Sequence, residues 1–173
     1  LAEGSGVAQA MLRCDPSGPL VINVVKLYSG PDGATFHALG RVYSGTVRAG
    51  DSVKVLGEAY SLDDEEDMAV CDVGGLSLPG GRYRLGIASA QAGNGVLLEG
   101  VDGPINKTAT ITANGARRGG GGASDPVEIF RPLSFNTASV LKLAVEPLNP
   151  AELPKMVEGL RRISKSYPLA ATK

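Results

Sequence analysis

The run at 40–57, GRVYSGTVRAGDSVKVLG, constrains this chain more than any other, because glycines interrupt β-branched segments at set places. Gly45 breaks a strand, and Ala49-Gly50-Asp51 closes a tight turn. Val42, Val47, Val53 and Val55 supply faces suited to a pleated sheet. Upstream, LVINVVKLY at 20–28 is a nearly continuous apolar strand. SGPDG at 29–33 is a turn, and ATFHALGRVYSGTV resumes the strand, so the two form a β-hairpin.

Composition agrees with a β-rich reading. The 24 Gly and 11 Pro residues are many for a helical protein of 173 residues, and 43% hydrophobic residues are enough for a packed core. That length suits one domain or two small ones. Further strands are expected at about 68–73, 82–88, 95–101 and 108–113, separated by PGG, AGN and VDGP turns. Their spacing predicts a closed antiparallel β-barrel over 19–135, with closure removing the sheet edges. Residues 1–18 read as a linker or the end of a preceding domain. NGARRGGGGASDP at 114–126 reads as a flexible surface insertion, and PVEIFRPLSF at 126–135 as a returning strand with Pro132 at its edge.

Past 136 the pattern changes. SVLKLAVEP alternates as a strand, and a helix follows with two possible starts. In one, Asn149 is the cap, with Pro150 in the first turn and Glu152 three residues on; in the other, Glu152 is the cap and Pro154 lies in the first turn. Leu153, Met156, Val157, Leu160 and Ile163 share one apolar face, and Pro168 stops the helix. One strand and one helix cannot bury that face, so 136–173 reads as the first part of a truncated α+β domain.

The chemistry-bearing residues are few. No G-x-x-x-x-G-K-[ST] loop occurs, and Asn106-Lys107-Thr108-Ala109 lacks the aspartate of a guanine-reading motif. The same asparagine matches a glycosylation sequon, yet a strand-entry turn is the favoured reading. His37 is the one histidine, and Ser44 and Ser61 have no base near them in sequence. Cys14 and Cys71 read as unpaired thiols. Net charge −1 provides no global field toward nucleic acid or membrane, and no apolar run approaches the length of a membrane span. These observations predict no catalytic, cofactor or metal site in this chain. Two candidate interaction surfaces remain. One is the acidic stretch Asp63, Asp64, Glu65, Glu66 and Asp67, whose mutual repulsion predicts a solvated loop. The other is the basic helix flank of Lys155, Arg161, Arg162 and Lys165.

Together with AGNGVLLEGVDGPINKTATIT at 92–112 and the segment 130–168, the glycine-punctuated hairpin resembles the second-domain barrel of the translation-type GTPases, which include the elongation factor two-like proteins. The resemblance implies a barrel that performs no chemistry, followed by the start of a ferredoxin-like third domain. GTP and Mg²⁺ are then expected in an upstream domain of a longer parent. GEAYSLDDEED at 57–67 and KSYP at 165–168 resemble the branch of the family found in the spliceosomal U5 particle. That branch implies a nuclear location, with U5 RNA, a large scaffold protein and an RNA helicase as partners. The alternative branch is a cytoplasmic elongation factor that drives ribosomal translocation.

Overall fold

The computed structural model describes residues 5–64, 66–115, 128–136, 140–170 and 172. A short helix, α1 (Gly6–Leu12), precedes ten strands: β1 (Val21–Ser29), β2 (Phe36–Ser44), β3 (Thr46–Arg48), β4 (Ser52–Leu56), β5 (Met68–Asp72), β6 (Leu76–Gly80), β7 (Tyr83–Ile87), β8 (Ser89–Gln91), β9 (Gly95–Leu98) and β10 (Ala109–Ala113). A 3-10 turn at Pro150–Glu152 and a second helix, α2 (Leu153–Ser166), end the chain.

The glycine hairpin forms as its residues dictate. Gly45 sits at φ +79° between β2 and β3, where an added Cβ would lie 2.7 Å from the Leu20 Cα. Only a residue without a side chain admits both the left-handed backbone and that approach. In the next turn the Asp51 carboxylate accepts from the Arg48 N–H at 2.8 Å. Val42, Val47, Val53 and Val55 are all fully buried, beside Ile22, Val24, Leu98, Val101, Ile105 and Ile111. The register Ile22↔Val42 and Ile22↔Ile111 stacks these side chains on one face, as period-2 alternation requires.

The chain is mainly β, but the expected closed ladder does not appear among the described residues. Eight strands form one antiparallel sheet in the order β5-β4-β10-β1-β2-β9-β6-β7, and β3 pairs separately with β8. The sheet curls around its core without its ends pairing. Instead the link between β5 and β6 spans the gap: Gly50 N–H donates to Val73 O, Val73 N–H to Asp51 O, and Gly74 N–H to Glu99 O. β6 and β8 escape the sequence pattern because LSLPG carries Pro and Gly, and SAQ is only one pleat long.

Residues 5–18 carry local order, and two strand expectations meet a different outcome. Within 1–18, Ser5 caps α1 by accepting from the Ala8 N–H at 3.1 Å, and Val7 and Ala10 are buried. Those small residues gave no apolar periodicity to read. The described parts of 126–135 and 139–147 form no strand. Among the described residues no ladder forms along them: the Phe130 N–H donates to the Thr110 hydroxyl of β10 at 2.9 Å, and Val140, Leu141 and Leu143 stay exposed. The described residues stop short of most of the glycine insertion, so the surface-loop reading of 116–126 lies outside them. Both helix starts coexist: Asn149 accepts from the Ala151 N–H to cap the 3-10 turn, and α2 follows with Pro154 in its first turn. A proline costs no hydrogen bond there.

A candidate relay and docking surface

The segment between β9 and β10 joins the sheet to α2. Val101 and Ile105 anchor it in the core. The Asp102 carboxylate accepts from the Phe36 N–H at 3.1 Å, fixing one end to β2. Glu58 Oε1 accepts from the Thr108 N–H at 2.9 Å and from the Thr108 hydroxyl at 2.7 Å, fixing the other end to the loop after β4. The Asn106-Lys107-Thr108 turn is thus a braced entry into β10.

Two lysines cross from this braced segment to the helix in opposite directions. Lys107 Nζ donates to Pro168 O and Ala170 O, both at 2.7 Å, just past the C-terminal end of α2. Lys165 Nζ, from the last turn of α2, donates to Asp102 O at 2.9 Å and Gly103 O at 3.0 Å. The acceptors are loop carbonyls, two just past α2 and two in the β9–β10 segment, and both ammonium groups lie near the negative end of the helix dipole. Charge-assisted hydrogen bonds are worth about 1.5–3 kcal/mol each where water is excluded, and these sites are only partly buried. α2 also packs against β1, yet none of its residues is buried. Polar contacts at its C-terminal end therefore hold the helix to the sheet.

The two predicted surfaces divide into engaged and outward residues. Asp67 is engaged: its Oδ2 accepts from the Ala59 N–H at 2.9 Å, and its carboxylate closes over Gly57, where any Cβ would collide with it. Asp64 Oδ1 accepts from the Glu66 N–H at 3.0 Å, and Ser61 and Asp64 exchange backbone bonds in a small bridge. Asp63, Asp64 and Glu66 are exposed, while Glu65 lies outside the described residues. On α2, Arg162 Nε pairs with Glu158 at 3.2 Å and Lys165 grips the sheet, which leaves Lys155 and Arg161 exposed.

His37 is buried in β2, and its Nδ1 is 3.2 Å from Glu99 Oε1. The pair is within electrostatic range but poorly aligned, so Nδ1 makes no hydrogen bond. Ser44 Oγ is buried and has no hydrogen-bond partner among the described residues. Neither residue faces a base and an acceptor site together. Cys14 and Cys71 are both free thiols. Burial, and then the nearby Asp102 and Asp72 charges, push the Cys71 thiol above its ordinary value. Sequence reasoning missed Glu58, Asp102 and Lys107 as structural keys. Their signal was faint, since a lone acid or lysine in a turn ordinarily faces solvent.

Comparison with known proteins bears on this arrangement. Residues 36–112 match the elongation factor Tu domain 2 family. The chain is 54% identical, over 98% of its length, to the 109 kDa U5 small nuclear ribonucleoprotein component GFL of Arabidopsis thaliana. It is 54% identical over 98% of its length to the 110 kDa component CLO of the same plant. It is 50% identical, again over 98%, to the pre-mRNA-splicing factor cwf10 of Schizosaccharomyces pombe. The chain spans 16–17% of the length of these relatives.

Proposed function

We propose that this chain, whose residues 36–112 match the elongation factor Tu domain 2 family and which is 54% identical over 98% of its length to a segment of two U5 small nuclear ribonucleoprotein components, is a non-catalytic relay and docking segment of a spliceosomal GTPase-like factor. GTP and Mg²⁺ belong, in this reading, to an upstream domain of the parent. Nucleotide-dependent ordering there biases the orientation of the curled sheet, and the sheet carries α2 with it. The observation that supports a relay is the reciprocal lysine contact, which couples helix to sheet without deforming either. Its two halves act at opposite ends of one braced segment.

The finer assignments belong to the same proposal. Residues 19–135 form the second domain of the parent. Residues 136–173 begin a ferredoxin-like third domain, whose remaining elements cover the apolar face of α2. The exposed Asp63, Asp64, Glu66, Lys155 and Arg161 act in docking, while Asp67, Arg162 and Lys165 act within the fold. The parent works in the nucleus beside U5 RNA, a large scaffold protein and an RNA helicase. The names of the relatives favour this branch over the elongation factor one.

The test is to purify the full-length parent with its natural partners and sequence the RNA that accompanies it. Enrichment of U5 RNA supports the splicing reading. Ribosomal RNA in its place moves the parent to translation and removes the docking roles given above.

A further inference from the structure

β6 and β7 form a hairpin that leaves the sheet. β6 pairs with β9 only at Leu76 and Ser77, whereas its pairing with β7 continues to Gly80↔Tyr83. At the root, Leu76 lies in the core and Ile87 packs against it. Because strand side chains alternate, Leu78, Tyr83 and Leu85 extend the same face beyond the core. Tyr83 is 74% exposed and Leu85 66% exposed. Arg84 alternates to the opposite face, and Arg82 stands at the tip beside Tyr83. Arg84 Nη2 donates to Ser29 O at 3.2 Å, while Arg82 has no ion pair among the described residues. β7 ends the sheet, so among the described residues its outer edge has no ladder neighbour.

We propose that the free edge of β7 receives an extended segment of a partner protein by strand addition, and that this segment alternates apolar and acidic residues. An open edge supplies backbone donors and acceptors to an added strand. Apolar side chains of that strand meet Leu85 and Tyr83, and acidic ones on the other face meet the two arginines. Tyrosine and arginine are the residue types that most often dominate such contacts. β7 also carries no proline that would remove a ladder donor from this edge. RNA is the weaker fit, because two arginines contact few phosphates and an exposed leucine stripe offers nothing to a backbone of phosphates. This surface lies apart from the lysine contact and does not depend on the splicing assignment.

Amide hydrogen exchange of the whole chain, measured with a capped (Val-Glu)₄ peptide at up to millimolar concentration, tests the proposal. The expected result is at least about threefold slower exchange at 83–87, no comparable effect of (Val-Lys)₄, and loss of the effect in Arg82→Glu. A second variant, Leu85→Ser, weakens the same protection while leaving the exchange of β1 and β10 unaltered, which separates lost docking from lost folding. Equal protection by both peptides, no protection by either, or single-stranded RNA binding the hairpin in place of the acidic peptide overturns it. So does protection of β7 that rises with protein concentration in the absence of peptide, since the edge is then taken by a second copy.

Discussion

The curled sheet and the segment that follows it are built from similar amino acids, yet they are stabilised in opposite ways. In the sheet, Ile22, Val42, Leu98 and Ile111 lie at or below 1% exposure around one core. In the segment, Leu153 and Ile163 are each 49% exposed, Val140 fully so, and helix α2 buries no residue. The sheet is stabilised by apolar burial. The helix is attached through the ammonium groups of Lys107 and Lys165. A sheet of eight strands can surround its apolar residues, whereas one helix has a single face and needs a second layer.

The largest effect expected from breaking this contrast is at Gly45. A valine there combines a left-handed backbone with contacts to the Leu20 and Gly18 backbones at 2.7 and 2.9 Å. Neither can move aside as a flexible side chain would. The predicted loss is about 4 kcal/mol, summing left-handed strain and overpacking, read as the urea midpoint of the whole sheet. The helix offers the counter-test at Gly159, where nothing lies within 4 Å of an added Cβ. Gly159→Ala is expected to raise local helix stability by about 0.5–1 kcal/mol. A comparable loss at both positions breaks the comparison.

A matched pair of truncations sharpens it. Ile111→Ala removes a side chain with no exposure and is expected to cost about 3 kcal/mol of global stability. Ile163→Ala, at a half-exposed position, is expected to cost less than about 1 kcal/mol and to leave the urea midpoint in place. If the second equals the first, α2 shares the core of the sheet and the account above fails.

The lysines come next in size. Lys107→Met and Lys165→Met each remove two bonds to backbone carbonyls while retaining most of the apolar stem. Each is expected to speed amide exchange in α2 by about tenfold, about 1.4 kcal/mol, with the β10 amides unaffected. Unchanged exchange in α2 would show that packing against β1 suffices to hold it.

The same contrast explains what was legible in the sequence. Positive-φ turns at Gly45 and Gly50, and the β-branched alternation of 40–57, carry local signals that need no knowledge of the rest of the chain. Helix α2 was equally legible from its periodicity and its two proline-marked starts. The alternation of 139–147 misled, because a strand exists only with a neighbour and the sequence pattern does not supply one. β6, β8 and the open ladder depend on pairings distant in sequence, such as Leu76↔Leu98 and Val47↔Ala90. The lysine contact was hidden for the same reason: Lys107 and its acceptors are 61 and 63 residues apart. In the acidic stretch, charge foretold an exposed loop but not that Asp67 would turn inward to hold Ala59.

The smallest expected effect lies in the β1–β2 turn, where a purely local device can be tested apart from both regions. Asp32 Oδ1 accepts from the Thr35 N–H at 3.1 Å, the Thr35 hydroxyl at 2.9 Å and the Ala34 N–H at 3.1 Å. The Thr35 backbone bond, then its hydroxyl and the Ala34 N–H, hold the carboxyl below its ordinary value of 3.8. A carboxyl lowered by folding contributes stability above its unfolded pKa and loses it as pH falls through the folded one. The turn is therefore expected to loosen only below the ordinary carboxylate range. Carboxyl NMR titration of Asp32, followed beside the Thr35 amide shift, reads this directly. Asp32→Asn should abolish that acid transition while the exchange rates of β1 and α2 stay the same, because the group is exposed and its bonds stay within one turn. Loosening that spreads to α2 would mean that the turn, and not the lysine contact alone, helps to set the helix on the sheet.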